Sequence, residues 1–188
     1  MDRLLELTYQ AEARHFWFRG FRRFVSPWIA RAAGGRRDLQ LLDCGCGTGA
    51  NLALLEPFGR AYGFDLTFRG LEFARQHGRT RVARASIGAI PFPDAAFDVV
   101  TSFDVLYGLP DDVERAAARE MRRVLKPGGR LVITSAALDS LRGGHSTFSN
   151  EVRRYTKASM TALLEGAGLD VERITYTHAA IFLSLIHI

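Results

Sequence analysis

The stretch Leu41-Leu42-Asp43-Cys44-Gly45-Cys46-Gly47-Thr48-Gly49 decides the fold. It leaves a short apolar run and enters a segment with helical spacing. Gly45, Gly47 and Gly49 admit backbone angles closed to other residues and let a ligand approach the main chain. A helix starting beyond them offers unpaired N–H groups and a positive dipole end, which suit a carboxylate or a phosphate.

Working outward, short apolar runs alternate with helix-period segments. Residues 39–44, 61–64, 81–85, 97–103, 131–135 and 171–177 read as strands. Helices are expected over 49–56, where Pro57 closes the segment, over 68–77, where Thr67 can cap, and over 157–167. A further helix opens at Asp111-Asp112 and carries Val113, Ala117, Met121 and Val124 on one stripe until Pro127-Gly128-Gly129 breaks it. Residues 2–33 read as helices that Gly34-Gly35 ends, with Pro27 marking a helix start or a kink. Strands alternating with helices argue for βαβ units and a mainly parallel sheet. Ligands then sit at the carboxyl ends of the strands, where the strand order reverses.

The glycine spacing discriminates between two cofactors. A dinucleotide loop wants G-x-G-x-x-G, and this chain has G-x-G-x-G, one residue short. Asp43 would repel a pyrophosphate but can hold an ammonium, directly or through water. An amino-acid moiety carries both an ammonium for Asp43 and a carboxylate for the loop amides. S-adenosylmethionine (SAM) presents that pair of charges on a nucleoside. Asp65, 22 residues after Asp43, ends the second strand, where a carboxylate can accept both ribose hydroxyls. The alternative for Asp65 is a cap for the following helix.

Five short segments then carry a resemblance: LLDCGCGTG (41–49), GFD (63–65), IPFPDAAFDVV (90–100), DVLYGL (104–109) and MRRVLKPGGRLVI (121–133). In this order and spacing the chain resembles the class I SAM-dependent methyltransferases, in the broad type-11 group that includes quinone-biosynthesis methyltransferases. The resemblance implies an α/β fold: a three-layer, doubly wound, Rossmann-like sheet, mainly parallel, with an N-terminal helical lid. It divides the chain into a lid over 1–34 and a SAM-binding domain over 35–188. It also implies a seventh strand lying antiparallel between the fifth and sixth. Only six strands are read here, so the last is expected to be missing, with the apolar end at 179–188 a truncated or non-native tail.

By the same resemblance Asp43, Gly45, Cys46, Gly47 and Gly49 hold the methionine part of SAM, and Asp65 with Leu66 the ribose side. Ser86 stands where the family usually has an acidic residue that accepts from the adenine amino group. Its hydroxyl accepts without charge, so weaker adenine binding is expected. Ile87 can pack on the purine face. Residues 102–106, with Ser102 and Asp104, should line the methyl side, and Tyr107 the acceptor beyond it. Gly108 replaces a frequent histidine. Pro91, Pro93 and Asp98 can simply shape the loop into the fourth strand, and 125–129 is a helix stop.

The cluster His15-Phe16-Trp17-Phe18-Arg19 falls where similar proteins carry a lid. Trp17 can cover the substrate and Arg19 can reach the SAM carboxylate, or these aromatics can simply bury the N-terminal helix. His145, and the run Arg153-Arg154-Tyr155-Thr156, match a subset of the family on the substrate side. His145 is the candidate base, titrating near neutrality, and its alternative is a loop histidine bonded to backbone. Of the two arginines one can pair with acidic side chains and Arg154 can face an anionic substrate, beside Tyr155. Transfer would be in-line displacement from a sulfonium, where alignment does most of the work and no base is obligatory. The competing functions are an NAD(P)-dependent oxidoreductase and a SAM-fold protein that binds without catalysis.

Composition narrows the partners. The chain has 188 residues, 47% of them hydrophobic, and a net charge of +5. That length suits one domain with a real core. All basic side chains except Lys126 and Lys157 are arginine, and they are spread along the chain rather than gathered with stacking aromatics. Nucleic acid is therefore not expected as a partner. A small-molecule acceptor is, and loose contact with an anionic membrane surface stays open. Cys44 and Cys46 have no second ligand pair, so no metal is expected. No secretory signal and no apolar run of membrane-spanning length is visible, so a cytoplasmic location is expected. A missing last strand would leave a sheet edge open to association with another chain.

Overall fold

Leu39, Leu41, Leu42 and Cys44 are all buried, so β1 (Leu39–Cys44) is covered on both faces, as the central strand of a parallel sheet must be. The computed structural model describes residues 2–141 and 151–177. Around β1 it places β2 (Gly59–Asp65), β3 (Val82–Arg84), β4 (Phe97–Phe103) and β5 (Leu125–Thr134). The order is β3-β2-β1-β4-β5, with every neighbouring pair parallel. The chain moves outward from β1 in one direction through β2 and β3. It then returns to the other side with β4. The reversal lies between β1 and β4, where Asp43 is in register with Thr101.

Side-chain alternation along β1 assigns the two outer layers. Leu39 and Leu41 pack with Phe21, Val25 and Ile29 of α2 (Phe16–Ala33), Leu52 and Leu55 of α3 (Leu52–Leu55) and Leu71 of α4 (Phe68–Gln76). Leu42 and Cys44 face the other layer, with Ala117, Met121 and Val124 of α5 (Asp111–Val124) and Met160 and Leu164 of α6 (Lys157–Glu165). The three-layer arrangement expected from the sequence is thus present. α5 begins with Asp111, Asp112 and Glu114 and ends with Arg122 and Arg123, matching the helix dipole at both ends. α6 begins in a capping box in which Thr156 and Ser159 exchange backbone and side-chain hydrogen bonds.

Several boundaries differ from the expectation. The helix after the glycine loop is a four-residue turn, α3, continued by a 3-10 turn at Glu56–Phe58. Gly49 holds a φ of 74°, which delays the start, and Pro57 limits the end. Thr67 stands at the N-cap of α4, but its side chain makes no capping bond. β5 begins at Leu125, six residues before the expected start, because the Pro127-Gly128-Gly129 turn forms a register shift inside the strand, between its pairings at Phe97 and Val99. Pro27 lies within α2; the break among the N-terminal helices falls earlier, between α1 (Asp2–Ala11) and His15, whose Nδ1 caps α2 by accepting from the Trp17 amide. Residues 171–177 form no ladder. Val171 and Ile174 pack against the core, but among the described residues no strand lies beyond β5 to pair with them. The tail at 178–188 lies outside the described residues.

The PFPDAAFD loop is a structural brace. Arg123 donates to the carbonyls of Ile90 and Phe92 and to the carboxylates of Asp94 and Glu120. Asp98 accepts from the Gln40 amide at 2.9 Å, from Lys126 Nζ at 2.7 Å and from Arg36 Nη1 at 3.0 Å, tying β1, β4 and β5 together. Burial would raise its pKa; Lys126, the Gln40 amide and Arg36 together hold it below the ordinary value. Its contribution is therefore present above the ordinary carboxylate pKa and is lost as the pH falls below it. Asp98→Ala should cost about 1–3 kcal/mol in urea unfolding at neutral pH, the cost of leaving these donors unpaired. The gap to wild type should shrink in acid; a gap below about 0.5 kcal/mol at pH 7 would contradict the assignment.

Candidate functional site

At the carboxyl end of β1 the chain turns sharply. The amides of Gly45 and Cys46 both donate to the Phe64 carbonyl of β2, at 2.9 Å each, and Gly49 donates to the Cys46 carbonyl at 2.8 Å. Gly45, Gly47 and Gly49 have φ of 78°, 51° and 74°, a region side chains rarely enter. A Cβ on Gly45 would also stand 2.4 Å from Val105 Cγ2, so the loop packs closely on the segment after β4.

Two carboxylates flank this loop. Asp65 ends β2. Its Oδ2 accepts from the Gly47 amide at 2.8 Å, and its Oδ1 accepts from the Thr67 amide at 2.8 Å and the Thr67 hydroxyl at 2.5 Å. It therefore braces the loop and the start of α4 together. Asp43 is 1% exposed and its Oδ1 accepts from the Thr101 hydroxyl at 2.7 Å. Burial pushes its pKa up to about 7, against the Thr101 hydrogen bond and with help from the charge of Asp65. Cys44 and Cys46 are free and buried, and burial also pushes both thiols up, so neither is a nucleophile at neutral pH.

The other candidate residues fall around this point. Ser102 is fully buried beside Thr101 and donates to the Cys44 carbonyl. Asp104, at the end of β4, has a φ of 57°; its amide donates to the Thr134 carbonyl and its carboxylate accepts from the Thr134 hydroxyl. A strained non-glycine residue at a strand's carboxyl end is a common mark of a functional edge. Leu66 is exposed. Ser86 accepts from the Gly88 amide in a tight turn, and Ile87 is buried in the core.

On the acceptor side the expected residues are held mostly by carboxylates and neighbouring backbone groups. The Tyr107 carbonyl accepts from the amides of Val152 and Arg153. Tyr155 is buried, with its hydroxyl donating to the Glu114 carboxylate. Arg153 bridges Asp111 and Glu114, and Arg154 pairs with Glu151. Both arginines of the run are thus paired with carboxylates. His145 lies outside the described residues. The N-terminal aromatic cluster divides: α2 buries Phe21 and Val25 on the sheet, while Phe16, Trp17 and Arg19 are exposed at its first turns.

Thr101 was not legible as part of the site, because its role is to meet Asp43 across two strands 58 residues apart. Neither was Glu12, whose side chain reaches Thr48 in the loop. Among the described residues no cluster of three or more His, Cys, Asp or Glu could hold a metal ion, and no helix is long and apolar enough to cross a membrane.

Residues 42–133 match the model of the family described as "Methyltransferase domain". This segment is a methyltransferase domain of the SAM-dependent family. The chain is 31% identical over 161 residues to a Mycolicibacterium smegmatis protein named "Probable S-adenosylmethionine-dependent methyltransferase", with 84% of this chain and 61% of that protein covered. It is 32% identical over 126 residues to a ubiquinone/menaquinone biosynthesis C-methyltransferase of Shewanella sp. (strain ANA-3), covering 61% of this chain and 49% of that one. The chain thus spans about half to three fifths of the length of these relatives. The crystal structure of a SAM-dependent methyltransferase from Aquifex aeolicus superposes with a TM-score of 0.64 at 22% identity, covering 80% of this chain and 82% of that one. SAM is the cofactor this family uses.

The buried methyltransferase carboxylate Asp43 has a directional consequence. Its folded pKa lies above the ordinary 3.8, so its favourable contribution is full below that value and is lost as the pH rises to about 7. Asn can keep the Thr101 hydrogen bond without the charge. Asp43→Asn should therefore melt higher than wild type at pH 8, with the difference fading toward pH 4. Parallel melting curves across that range, read by circular dichroism, would refute the buried-carboxylate account.

Proposed function

We propose that this chain transfers a methyl group from SAM to a small-molecule acceptor. The observation that carries this reading is the pair Asp43 and Asp65 on adjacent strand ends, flanking a glycine loop at the sheet's reversal point. Two carboxylates with a tight loop between them suit a ligand that carries a cation and a sugar diol, and repel a pyrophosphate. Bound there, SAM supplies a methyl group already activated by its sulfonium.

The protein's residues then bind and align. Asp65 has acceptor capacity left beside its three internal bonds, and can take ribose hydroxyls. Asp43 is too deeply buried to touch the ligand broadly, so it acts on the ammonium through its field or one water, and a neighbouring cation draws its pKa down. Leu66 serves the ribose side with Asp65, and Ser86 and Ile87 the adenine side, with the glycine loop of residues 45–49 along the methionine part. Ser102 and Asp104 stand on the methyl side. Tyr107, Arg154 and Tyr155 shape the acceptor wall, held by the 152–153 amides, Glu151 and Glu114. Trp17 and Arg19, exposed on the first turns of α2, are the residues of the lid that would cover the cleft and exclude water. A proton is removed only if the acceptor's nucleophile holds one, and His145 is the candidate for that step. C-methylation, as in the name of the Shewanella relative, is one class of transfer; O-, N- and S-acceptors fit the same alignment.

Calorimetry with S-adenosylhomocysteine tests the cofactor half. The wild-type chain should bind, and Asp65→Ala should weaken binding by more than about tenfold, since it removes a charged partner of the ligand. Because binding draws a proton off Asp43, the measured heat near pH 6 should vary with the buffer's ionisation enthalpy. Failure of the wild-type chain to bind at millimolar ligand would overturn the reading. A screen of small-molecule extracts with methyl-labelled SAM tests the transfer half, and absence of labelled product would leave a binding protein instead.

A further inference from the structure

Thr48 sits between Gly47 and Gly49 and is only 5% exposed. Its hydroxyl donates to Glu12 Oε2 at 2.7 Å, reaching back 36 residues to the end of α1. Its carbonyl faces His77 Nδ1 at 3.0 Å, 29 residues onward at the end of α4. A carbonyl can only accept, so His77 carries its proton on Nδ1 in this contact. One residue of the glycine loop is therefore gripped from two sides by distant elements. The preceding amide, of Gly47, is gripped a third time by Asp65.

The cost of this arrangement argues that it serves the loop. Glu12 is 5% exposed, and among the described residues its Oε1 accepts no hydrogen bond; His77 Nε2 lies 3.9 Å away. A carboxylate buried with one oxygen unsatisfied is expensive. Burial accordingly holds its proton affinity up, opposed by Thr48, His77 and Arg22. Docking of α1 has cheaper anchors, in the Tyr9 ring stacked on Phe73 at 4.2 Å and the exposed Glu6–Arg69 pair. What Glu12 and His77 add is restraint at a point where the flanking glycines provide none of their own.

We propose that Glu12, Thr48 and His77 form a clamp that positions the glycine loop, so that the N-terminal helix sets cofactor affinity. This rests on the cofactor reading above for its binding consequence, but not for its structural one. Without the clamp, residues 47–49 must be ordered by the ligand at binding, at a cost in backbone entropy. Glu12 and His77 are positioning residues; neither needs to touch SAM.

The test uses the full chain with Thr48→Val, which keeps shape and removes the hydroxyl, Thr48→Ser, which restores it, and Glu12→Leu. S-adenosylhomocysteine affinity is measured by calorimetry, global stability by thermal melting, and loop order by amide hydrogen exchange without ligand. Thr48→Val and Glu12→Leu should weaken binding on the order of tenfold, the effect of releasing one or two loop residues. Exchange at Gly47 and Gly49 should quicken by a similar factor relative to the core strands, and Thr48→Ser should bring both quantities back toward wild type. Wild-type affinity and loop protection in Thr48→Val would overturn the clamp. So would a loss shared equally by Thr48→Ser and spread over the core strands, which marks general destabilisation. If the wild-type chain itself fails to bind, the cofactor reading falls and the exchange data alone decide the clamp.

Discussion

The carbonyl of Phe64 accepts two amides, those of Gly45 and Cys46, and the geometry of the site follows from that pair of bonds. β1 is paired with β2 as far as Cys44 and with β4 as far as Asp43. Beyond Cys44 its amides have no strand to continue along, and Phe64 takes both of them. The chain is thereby pulled over the end of β2, and Asp65, the next residue, meets Gly47. A turn this tight places backbone in the left-handed region three times within five residues, which is why glycine alternates through it.

That turn also concentrates charge. Asp43 and Asp65 stand on neighbouring strand ends, and the charge of Asp65 adds to the cost of ionising the buried Asp43. Asp65 is half-buried and bonded three times. Asp43 is dry, with one hydroxyl partner from β4. A cation placed between them relieves both the desolvation and the repulsion. On the proposed reading, that relief would favour a positively charged ligand over a neutral one.

Much of this was legible in the chain. The buried strands announced themselves as runs such as Phe97-Asp98-Val99-Val100, because both faces of a parallel sheet are covered. Asp43, the three glycines and Asp65 were legible because their spacing is local to one strand–loop–strand unit. Lengths were harder. α3 shrank to four residues because backbone angles at Gly49, invisible to periodicity, delay its start. Residues 171–177 have strand-like composition, but a ladder needs a neighbour, and composition does not report one. The pairing of both Arg153 and Arg154 with carboxylates was beyond reach for the same reason. Asp111 and Glu114 lie on α5, tens of residues away, and Glu151 became a partner only through the local backbone path.

By itself the sequence determined the sheet's parallel character, the glycine turn, and a cofactor with an amino-acid end rather than a pyrophosphate. These rest on interactions between residues near one another in the chain, where spacing and geometry are the same thing. Only the tertiary structure decided that Thr101 buries against Asp43, that Asp98 braces three strands, and that Glu12 and His77 close on Thr48. Those contacts join residues tens of positions apart. Their energies come from burial and from hydrogen bonds whose partners are chosen by the packing of whole layers.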